Sequence, residues 1–438
     1  MFLMLQNIPI MEIDIDDLKY KTLREDLLPV RMRGIYKKDF PDINNRKEYE
    51  LYTGTFMSFL SHRILNLSRE NAKMLLNAFH FSQSQDDYTK MKIAIVCKAV
   101  SMSDDYWLNT QNKTFSWEEI CVRNNSLNKI VTSIALTGAS LTVEGIPHTP
   151  ELATQGAYAK AWVREKDGIY LYKAGTREGK EHLIDISCSQ ILDCFDIEHV
   201  PYSLGKFVDG DKELEVSKCP LMNSDKYSVV PAEEFYSFCC RQNIDFISEC
   251  QKIDERRFYQ TCIVDYLISN ADRHMQNWGF FMNNQTGQLE KCHPLFDHNN
   301  AFYKFTMNQK DGGPCQLLPQ YSQKEAAHFA NRKYPLQCIK PISKNIFLND
   351  EHYESFMERA CELGIYKRQK LTFIDKVFNT KKEEYIPDKI ILHTDDSSEN
   401  ESLTNEDEKI DIDDIMKKHE SSEENFKTQK WIEKEEEH

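Results

Sequence analysis

Three side chains at fixed offsets could do chemistry together: Asp272 and Asn277 in Asp272-Arg273-His274-Met275-Gln276-Asn277, and Asp297 in Pro294-Leu295-Phe296-Asp297. Phosphoryl transfer from ATP needs few protein groups. One carboxylate orients the attacking hydroxyl and takes its proton late; an amide oxygen and a second carboxylate hold magnesium against the phosphates. Asp272 suits the first role, and Asn277 and Asp297 the second. An isolated loop aspartate more often caps a turn. Here Arg273, His274 and Asn277 follow in register, and the Asp272-to-Asn277 interval equals that of the kinase loop H-R-D-x-x-x-x-N. His274 reads as a buried structural imidazole rather than a general base.

A nucleotide also needs a grip on its phosphates. Lys173 ends a strand and shares a face with Ile169 and Leu171, because side chains alternate along a strand. Facing inward, it needs an anionic partner, and Glu181 and Asp185 lie four apart on the following helix. The alternative is a strand-end lysine reaching solvent. Gly156-Ala157-Tyr158-Ala159-Lys160 precedes the first strand of that hairpin. A glycine there lets main-chain N–H groups approach phosphate, and Lys160 adds charge. A plain loop fits one glycine equally well.

The elements that must position these groups are legible in outline. Residues 1–130 read as mostly helical, with helices over Asn71–Phe81 and Asp87–Val100 and helix or turn starts at Ser103-Asp104-Asp105 and Ser116-Trp117-Glu118-Glu119. Strands are expected over Ala157–Glu165 and Ile169–Lys173 around an Asp167-Gly168 turn, then a helix over Glu181–Phe195 with Ile184, Cys188, Ile191 and Phe195 as its apolar stripe. Strands follow near His199–Leu204 and Glu213–Met222, helices over Ala232–Arg241 and Asp254–Ile268, and a strand over Trp278–Met282. Helix, loop, hairpin and aspartate in that order suggest an α+β, two-lobed, protein-kinase-like fold. The segments are 1–130, mostly helical and without an assigned role; 131–225, a small β-rich lobe; 226–381, a larger, mostly helical lobe with the catalytic loop; and 382–438, an acidic tail.

Composition limits the function classes. The chain has 438 residues, 40% hydrophobic, with a net charge of −15. Residues 395–438 hold 17 Asp or Glu against 6 Lys, a net of −11, leaving −4 for the rest. The tail is too polar to bury a core and reads as mostly disordered, with a short helix expected at Ile410–Met416. No basic tract supports direct nucleic-acid binding. The thirteen cysteines show neither C-x-x-C pairs nor zinc spacing, which suits thiols in a reducing cytoplasm. The start of the chain makes a poor signal peptide, and nothing approaches membrane-spanning length.

With these residues in view, the stretch from about 150 to 365 resembles the HipA-like serine/threonine kinases, a family related in structure to phosphatidylinositol kinases. Asp272-Arg273-His274-x-x-Asn277-Trp278-Gly279 is similar to the family's catalytic loop, Pro294-Leu295-Phe296-Asp297 to its metal-binding segment, and Gly156-Ala157-x-x-Lys160 to its phosphate loop. Ser189-Gln190-Ile191-Leu192-Asp193, leading to His199-Val200-Pro201-Tyr202, is similar to its helix and next strand. Ser103–Glu119 looks like the flank of short stand-alone members. The resemblance implies ATP and Mg2+ as cofactors and Asp272, Asn277, Asp297 and Lys173 as the catalytic set. It implies Asp185 as the acid facing Lys173, and a hinge for adenine at Cys219 and Leu221 within Ser217–Leu221. It further implies a protein substrate with a serine or threonine acceptor, an antitoxin-like regulator, and a growth-inhibiting toxin role. Ala153 and Thr154 stand where members often carry a silencing serine. A phosphatidylinositol-type lipid kinase is the alternative, to be judged on the segment Lys304–Gln320 after Asp297. A catalytically silent nucleotide-binding module is the third reading.

Overall fold

Short runs of apolar residues at the start of the chain build a sheet where helix was expected. In the computed structural model, which describes residues 1–366 apart from 111–114, 145–149, 177–178 and 305–311, β1 (Phe2–Leu5), β2 (Ile8–Asp14) and β3 (Lys19–Thr22) are joined by β4 (Tyr106–Asn109). Their order is β3-β2-β1-β4, antiparallel throughout. Leu3, Leu5, Ile10, Met11 and Ile13 are fully buried, so apolar burial sets the strands. β1 can complete its ladder only with a partner about a hundred residues away, a pairing no local pattern reveals. Ser103-Asp104-Asp105, read as a helix or turn start, leads into β4 instead.

The helices fare better. α1 (Arg46–Ser61), α2 (Ala72–Ala78) and α3 (Asp87–Val96) form, the last two where expected. Asp86 caps α3 by accepting from the Thr89 N–H at 2.7 Å, since the first turn of a helix leaves its N–H groups unpaired. α4 (Trp117–Ile120) starts at the expected Ser116, with Glu119 completing a capping box. α5 (Lys129–Thr137) follows.

The small sheet comprises β5 (Lys160–Arg164), β6 (Ile169–Ala174), β7 (Ser203–Asp209) and β8 (Lys212–Pro220), in the order β5-β6-β8-β7. Its first hairpin closes at the predicted Asp167-Gly168 turn, the Glu165 N–H donating to the Gly168 carbonyl at 2.8 Å. Register places Lys160 opposite Lys173 and Lys173 opposite Ser217, so the two lysines emerge side by side on one face. α6 (Glu181–Leu192) buries Cys188, Ile191 and also Asp185. The strand expected at His199–Leu204 begins at Ser203. Before it, Val200 donates to the Leu295 carbonyl at 2.8 Å and Leu295 to that of Glu198 at 3.1 Å, which holds residues 198–200 beside the Asp297 segment.

The larger part follows: β9 (Tyr227–Pro231), α7 (Ala232–Gln242), α8 (Phe246–Leu267), β10 (Gly279–Asn283), β11 (Leu289–Cys292), α9 (Gln323–Lys333) and α10 (Asp350–Glu362). β11-β10-β9 make a three-stranded sheet. α8 starts eight residues before the expected Asp254 and kinks there. Asp254 accepts from the Arg257 N–H at 3.2 Å, as a cap does, so the sequence signal marked the second half of a longer helix. That half buries Phe258, Cys262, Ile263, Val264 and Leu267. Such all-round burial marks a central helix. The molecule is thus α+β and two-lobed in the kinase manner, with a small sheet and α6 facing a helical body. Met1–Lys367 form one compact unit. The acidic tail at 382–438, with its expected helix, lies outside the described residues. The limits at 130, 225 and 381 stay proposals.

Candidate active site

The catalytic-loop segment hangs from the end of α8. Asn270, fully buried, donates to Asp265 Oδ1 at 3.1 Å and accepts from the Asp272 N–H at 3.1 Å. Arg273, 1% exposed, is the hub. Its Nε and NH2 engage Asp265 at 3.0–3.1 Å. NH1 donates to the carbonyls of Asn277 at 2.8 Å and Phe296 at 3.1 Å, and NH2 to His298 Nδ1 at 3.1 Å. A guanidinium offers five donors in a fixed plane, so this one joins helix, loop and Asp297 segment. The reading of His274 as the buried scaffold is therefore corrected. Its side chain is half exposed, and Arg273 does the holding.

Asn277 donates from Nδ2 to the Asp272 carbonyl at 3.1 Å, which fixes the amide plane and leaves Oδ1 as the acceptor. Asp272 is half exposed, and its Oδ2 accepts from Asn300 Nδ2 at 2.8 Å. Gly279 has to be glycine. A Cβ there would stand 2.8 Å from the Ala232 nitrogen and closer still to the Val230 carbonyl, because Gly279 lies opposite Pro231 where β10 pairs with β9.

Asp297 adopts the left-handed region, φ +57°, uncommon outside glycine and asparagine and a form of strain found at functional sites. The turn delivers its carboxylate to the small sheet. Lys173 Nζ lies 2.8 Å from Asp297 Oδ1 and 3.1 Å from both Asp185 Oδ2 and the Tyr202 hydroxyl. Asp185 Oδ1 accepts from the His298 N–H at 2.8 Å. Glu181, the other candidate partner, instead accepts from Thr176 at the start of α6.

Burial opposes every charge in this cluster, and the cluster answers by pairing. Desolvation presses the Lys173 ammonium toward neutrality, but Asp185 and Asp297 outweigh it and hold it well above the lysine range. Asp297 is likewise desolvated, yet Lys173 and Lys160 hold it well below the carboxylate range. Asp185 is pushed up to about 6 by burial, with Asp297 adding to the rise against Lys173. Burial and Arg273 hold His298 well below the histidine range, so it accepts the guanidinium at Nδ1 as a neutral ring. Burial pulls Lys160 down to about 8, with Asp297 opposing. Lys160 Nζ sits over the Gly156 loop, where a Cβ on Gly156, at φ +109°, would collide with it.

Lys160, Lys173, Tyr202 and Asp297 line a cavity of about 450 Å3, which also takes in Gly156, Ala157, Cys219, Leu221, Asp272 and Asn277. That is within the size range of nucleotide-scale ligand pockets. Asp185 stands behind the lining. The Leu221 N–H is committed to the Ile169 carbonyl at 2.9 Å, so Leu221 could offer an adenine ring its carbonyl and side chain but not its N–H. Among the described residues no cluster of three His, Cys, Asp or Glu could hold a metal. One carboxylate and one amide oxygen fit Mg2+, which keeps several ligands from water and phosphate. Lys304 pairs with Glu351 at 2.8 Å. Residues 305–311, in the segment that bears on a lipid substrate, lie outside the described residues.

The structure thus brings Lys173, Lys160, Gly156, Ala157, Cys219, Leu221, Asp272, Asn277 and Asp297 to one hollow. Sequence reasoning gave Tyr202 no role of its own and missed Asn300. Tyr202 had a signal in the His199-Val200-Pro201-Tyr202 stretch; Asn300 had none.

No family model and no curated protein sequence matches the chain. Among solved structures, a Helicobacter pylori proinflammatory kinase, CtkA, is similar at 15% identity and TM-score 0.37, over 48% of this chain and 89% of that one. The HipA of a Shewanella oneidensis MR-1 toxin–antitoxin system, solved with HipB and operator DNA, is similar at 11% identity and TM-score 0.46, over 87% of this chain and 100% of that one. At these values neither likeness adds to what the cleft geometry carries.

Proposed function

We propose that the chain is an ATP- and Mg2+-dependent phosphotransferase that acts on a serine or threonine of a protein substrate. The observation that carries this reading is the 2.8 Å contact between Lys173 and Asp297, which joins residues 124 apart at one hollow that Asp272 and Asn277 also line. A structural ion pair alone would not need the second lysine, the amide and the outlying carboxylate around the same space.

In this reading Lys173 and Lys160 hold phosphate oxygens, and Asn277 Oδ1 and Asp297 hold Mg2+, which supplies charge neutralisation on the phosphates. Asp185 and Tyr202 keep the Lys173 ammonium in place. Asp272, with one oxygen fixed by Asn300, orients the acceptor hydroxyl and takes its proton as the new bond forms. Groups fixed before the reaction need no reorganisation during it, and that accounts for most of the rate. Cys219 and Leu221 form the adenine end.

The test is phosphate transfer from labelled ATP to the protein itself and to candidate proteins. Asp272→Asn is expected to abolish transfer with Mg-ATP binding nearly intact, and Asp297→Asn to weaken Mg-ATP binding. Full autokinase activity in Asp272→Asn would sink the assignment. A toxin role with an antitoxin-like partner is proposed from the sequence resemblance alone; expression of the wild type, but not of Asp272→Asn, should then arrest growth. A cytoplasmic site is proposed on the thirteen cysteines, all free thiols.

A further inference from the structure

Residues 62–70, between α1 and α2, contribute no group to the proposed transfer. They nonetheless grip the Gly156 loop. Arg69, 2% exposed, donates from NH1 to the carbonyls of Glu151 at 2.6 Å and Thr154 at 3.0 Å, and from NH2 to that of Lys160. The first two carbonyls lie where the loop begins and the third where it ends, so one planar group spans its mouth. The main chain adds to this. Leu65 N–H donates to the Leu152 carbonyl at 2.6 Å and Glu70 N–H to the Ala157 carbonyl at 2.8 Å. The Gln155 amide returns the grip, donating to the His62 and Ile64 carbonyls at 3.0 and 2.9 Å.

A buried guanidinium is costly, and here it serves main-chain carbonyls. Burial holds Arg69 below the usual arginine range, at about 10, with Glu151 opposing, so its charge persists at neutral pH. The orientation it imposes has a consequence. In a trans peptide the N–H points opposite to the preceding C=O, and no peptide among the described residues is cis. With the carbonyls of Thr154 and Ala157 turned to residues 69 and 70, the N–H groups of Gln155 and Tyr158 are turned away from them. Neither has a main-chain acceptor among the described residues. Gln155 and Tyr158 line the cavity, whereas Arg69 does not. Main-chain N–H groups without an internal acceptor beside a hollow are available to an anion there.

We propose that residues 62–70, with Arg69 as the positioning residue, hold the N–H groups of Gln155 and Tyr158 toward the cleft as a phosphate cradle. The N-terminal region is thereby a working part of the nucleotide site. This rests on the ATP reading above. Hydrogen exchange of residues 151–160 and calorimetric titration with Mg-ATP test it. In Arg69→Ala, exchange of 151–160 is expected to accelerate about tenfold and the Mg-ATP Kd to rise about tenfold. α8 should be unchanged, and kcat at saturating ATP should stay within about threefold, since the loss is one of binding shared by ground and transition states. Arg69→Lys should recover only part of the affinity, because an ammonium lacks the planar fork. If Arg69→Ala does not fold, Gln155→Ala, which removes the exposed return bonds, should raise loop exchange and Kd about threefold.

Unchanged loop exchange in whichever folded variant is measured overturns the proposal. So does faster exchange with an unaltered Kd. If the wild type binds no Mg-ATP, the kinase reading and the cradle's ligand fail together, while the exchange comparison still decides whether residues 62–70 hold the loop.

Discussion

Asn300 Nδ2 donates to Asp272 Oδ2 at 2.8 Å, tying the carboxylate proposed to meet the acceptor to a residue three positions beyond Asp297. The contact leaves Oδ1 for the hydroxyl and fixes the plane in which it is presented. A group that aligns the base without touching nucleotide should act on turnover and spare nucleotide binding.

Asn300→Ala is therefore expected to lower kcat by roughly tenfold, about 1.4 kcal/mol, for a hydrogen bond to a half-exposed charged group. KM for ATP should stay within about threefold. Asn300→Asp should cost more, by setting like charges against each other. Steady-state kinetics of the two variants decide it, and a change confined to KM would exclude the aligning role.

Lys173→Met removes the one ammonium that touches both Asp185 and Asp297. A buried carboxylate, Asp185, and a partly buried one, Asp297, are left facing each other, and breaking such a pair costs up to about 3–5 kcal/mol. The sign with pH follows. Uncompensated carboxylates in the folded variant titrate above their unfolded values, so protonation favours its folded state as pH falls. In the wild type the lowered Asp297 contributes stability that is complete above the unfolded carboxylate range and lost on acidification. From pH 7 to pH 5 the Asp297 contribution stays complete, so the gap narrows only as far as protonation of the variant's carboxylates exceeds the relief that Asp185, pushed up to about 6, gives the wild type. Urea unfolding at the two pH values measures it, and a variant as stable as the wild type at pH 7 would rule out the pairing argument.

Burial pulls the Lys160 ammonium down to about 8, against Asp297. Below that value it is a cation beside the Gly156 loop, and above it the charge is lost. Mg-ATP affinity should accordingly weaken as pH rises from 7 to 9, by more than ATP's own ionisation explains. Lys160→Arg should flatten this dependence, since a guanidinium stays charged throughout. Calorimetric titration across that range provides the check.

Gly279→Ala pushes a methyl group into the Val230–Ala232 backbone, which cannot step aside as a flexible side chain could. The expected cost is about 1–3 kcal/mol, seen as a lower urea midpoint. The shift is transmitted to Asn277, two residues back, so Mg-ATP binding should weaken as well. An alanine variant as stable as the parent would show that β9 and β10 have slack at this pairing.

Much of the site was legible because its chemistry dictates offsets. Asp272 and Asn277 belong to one loop, and Lys173 sits on a strand announced by an Asp-Gly turn. What escaped depends on approach in space. β1 pairs locally with β2 across Gln6-Asn7, a hairpin without an Asn-Gly or Asp-Gly turn to announce it, and its other partner, β4, lies beyond three helices. Arg273 was passed over in favour of His274 because its partners Asp265, Phe296 and His298 come from separate segments. Glu181 and Asp185 share a helical face, and only the packing of α6 shows that the first turn serves Thr176 while the second serves Lys173. Asp254 was rightly read as a start, but of half a helix, since α8 enters from Phe246.

The Arg273 guanidinium bonds the carbonyls of both Asn277 and Phe296, so the stretch bearing Asp272 and the stretch bearing Asp297 are riveted together and travel as one piece. Lys160 and Lys173, paired in register, stand on the separate β5–β8 sheet. On the proposed phosphotransfer, Lys173 and Asp297 would then meet one triphosphate from opposite sides of that seam, the first at its oxygens and the second through Mg2+.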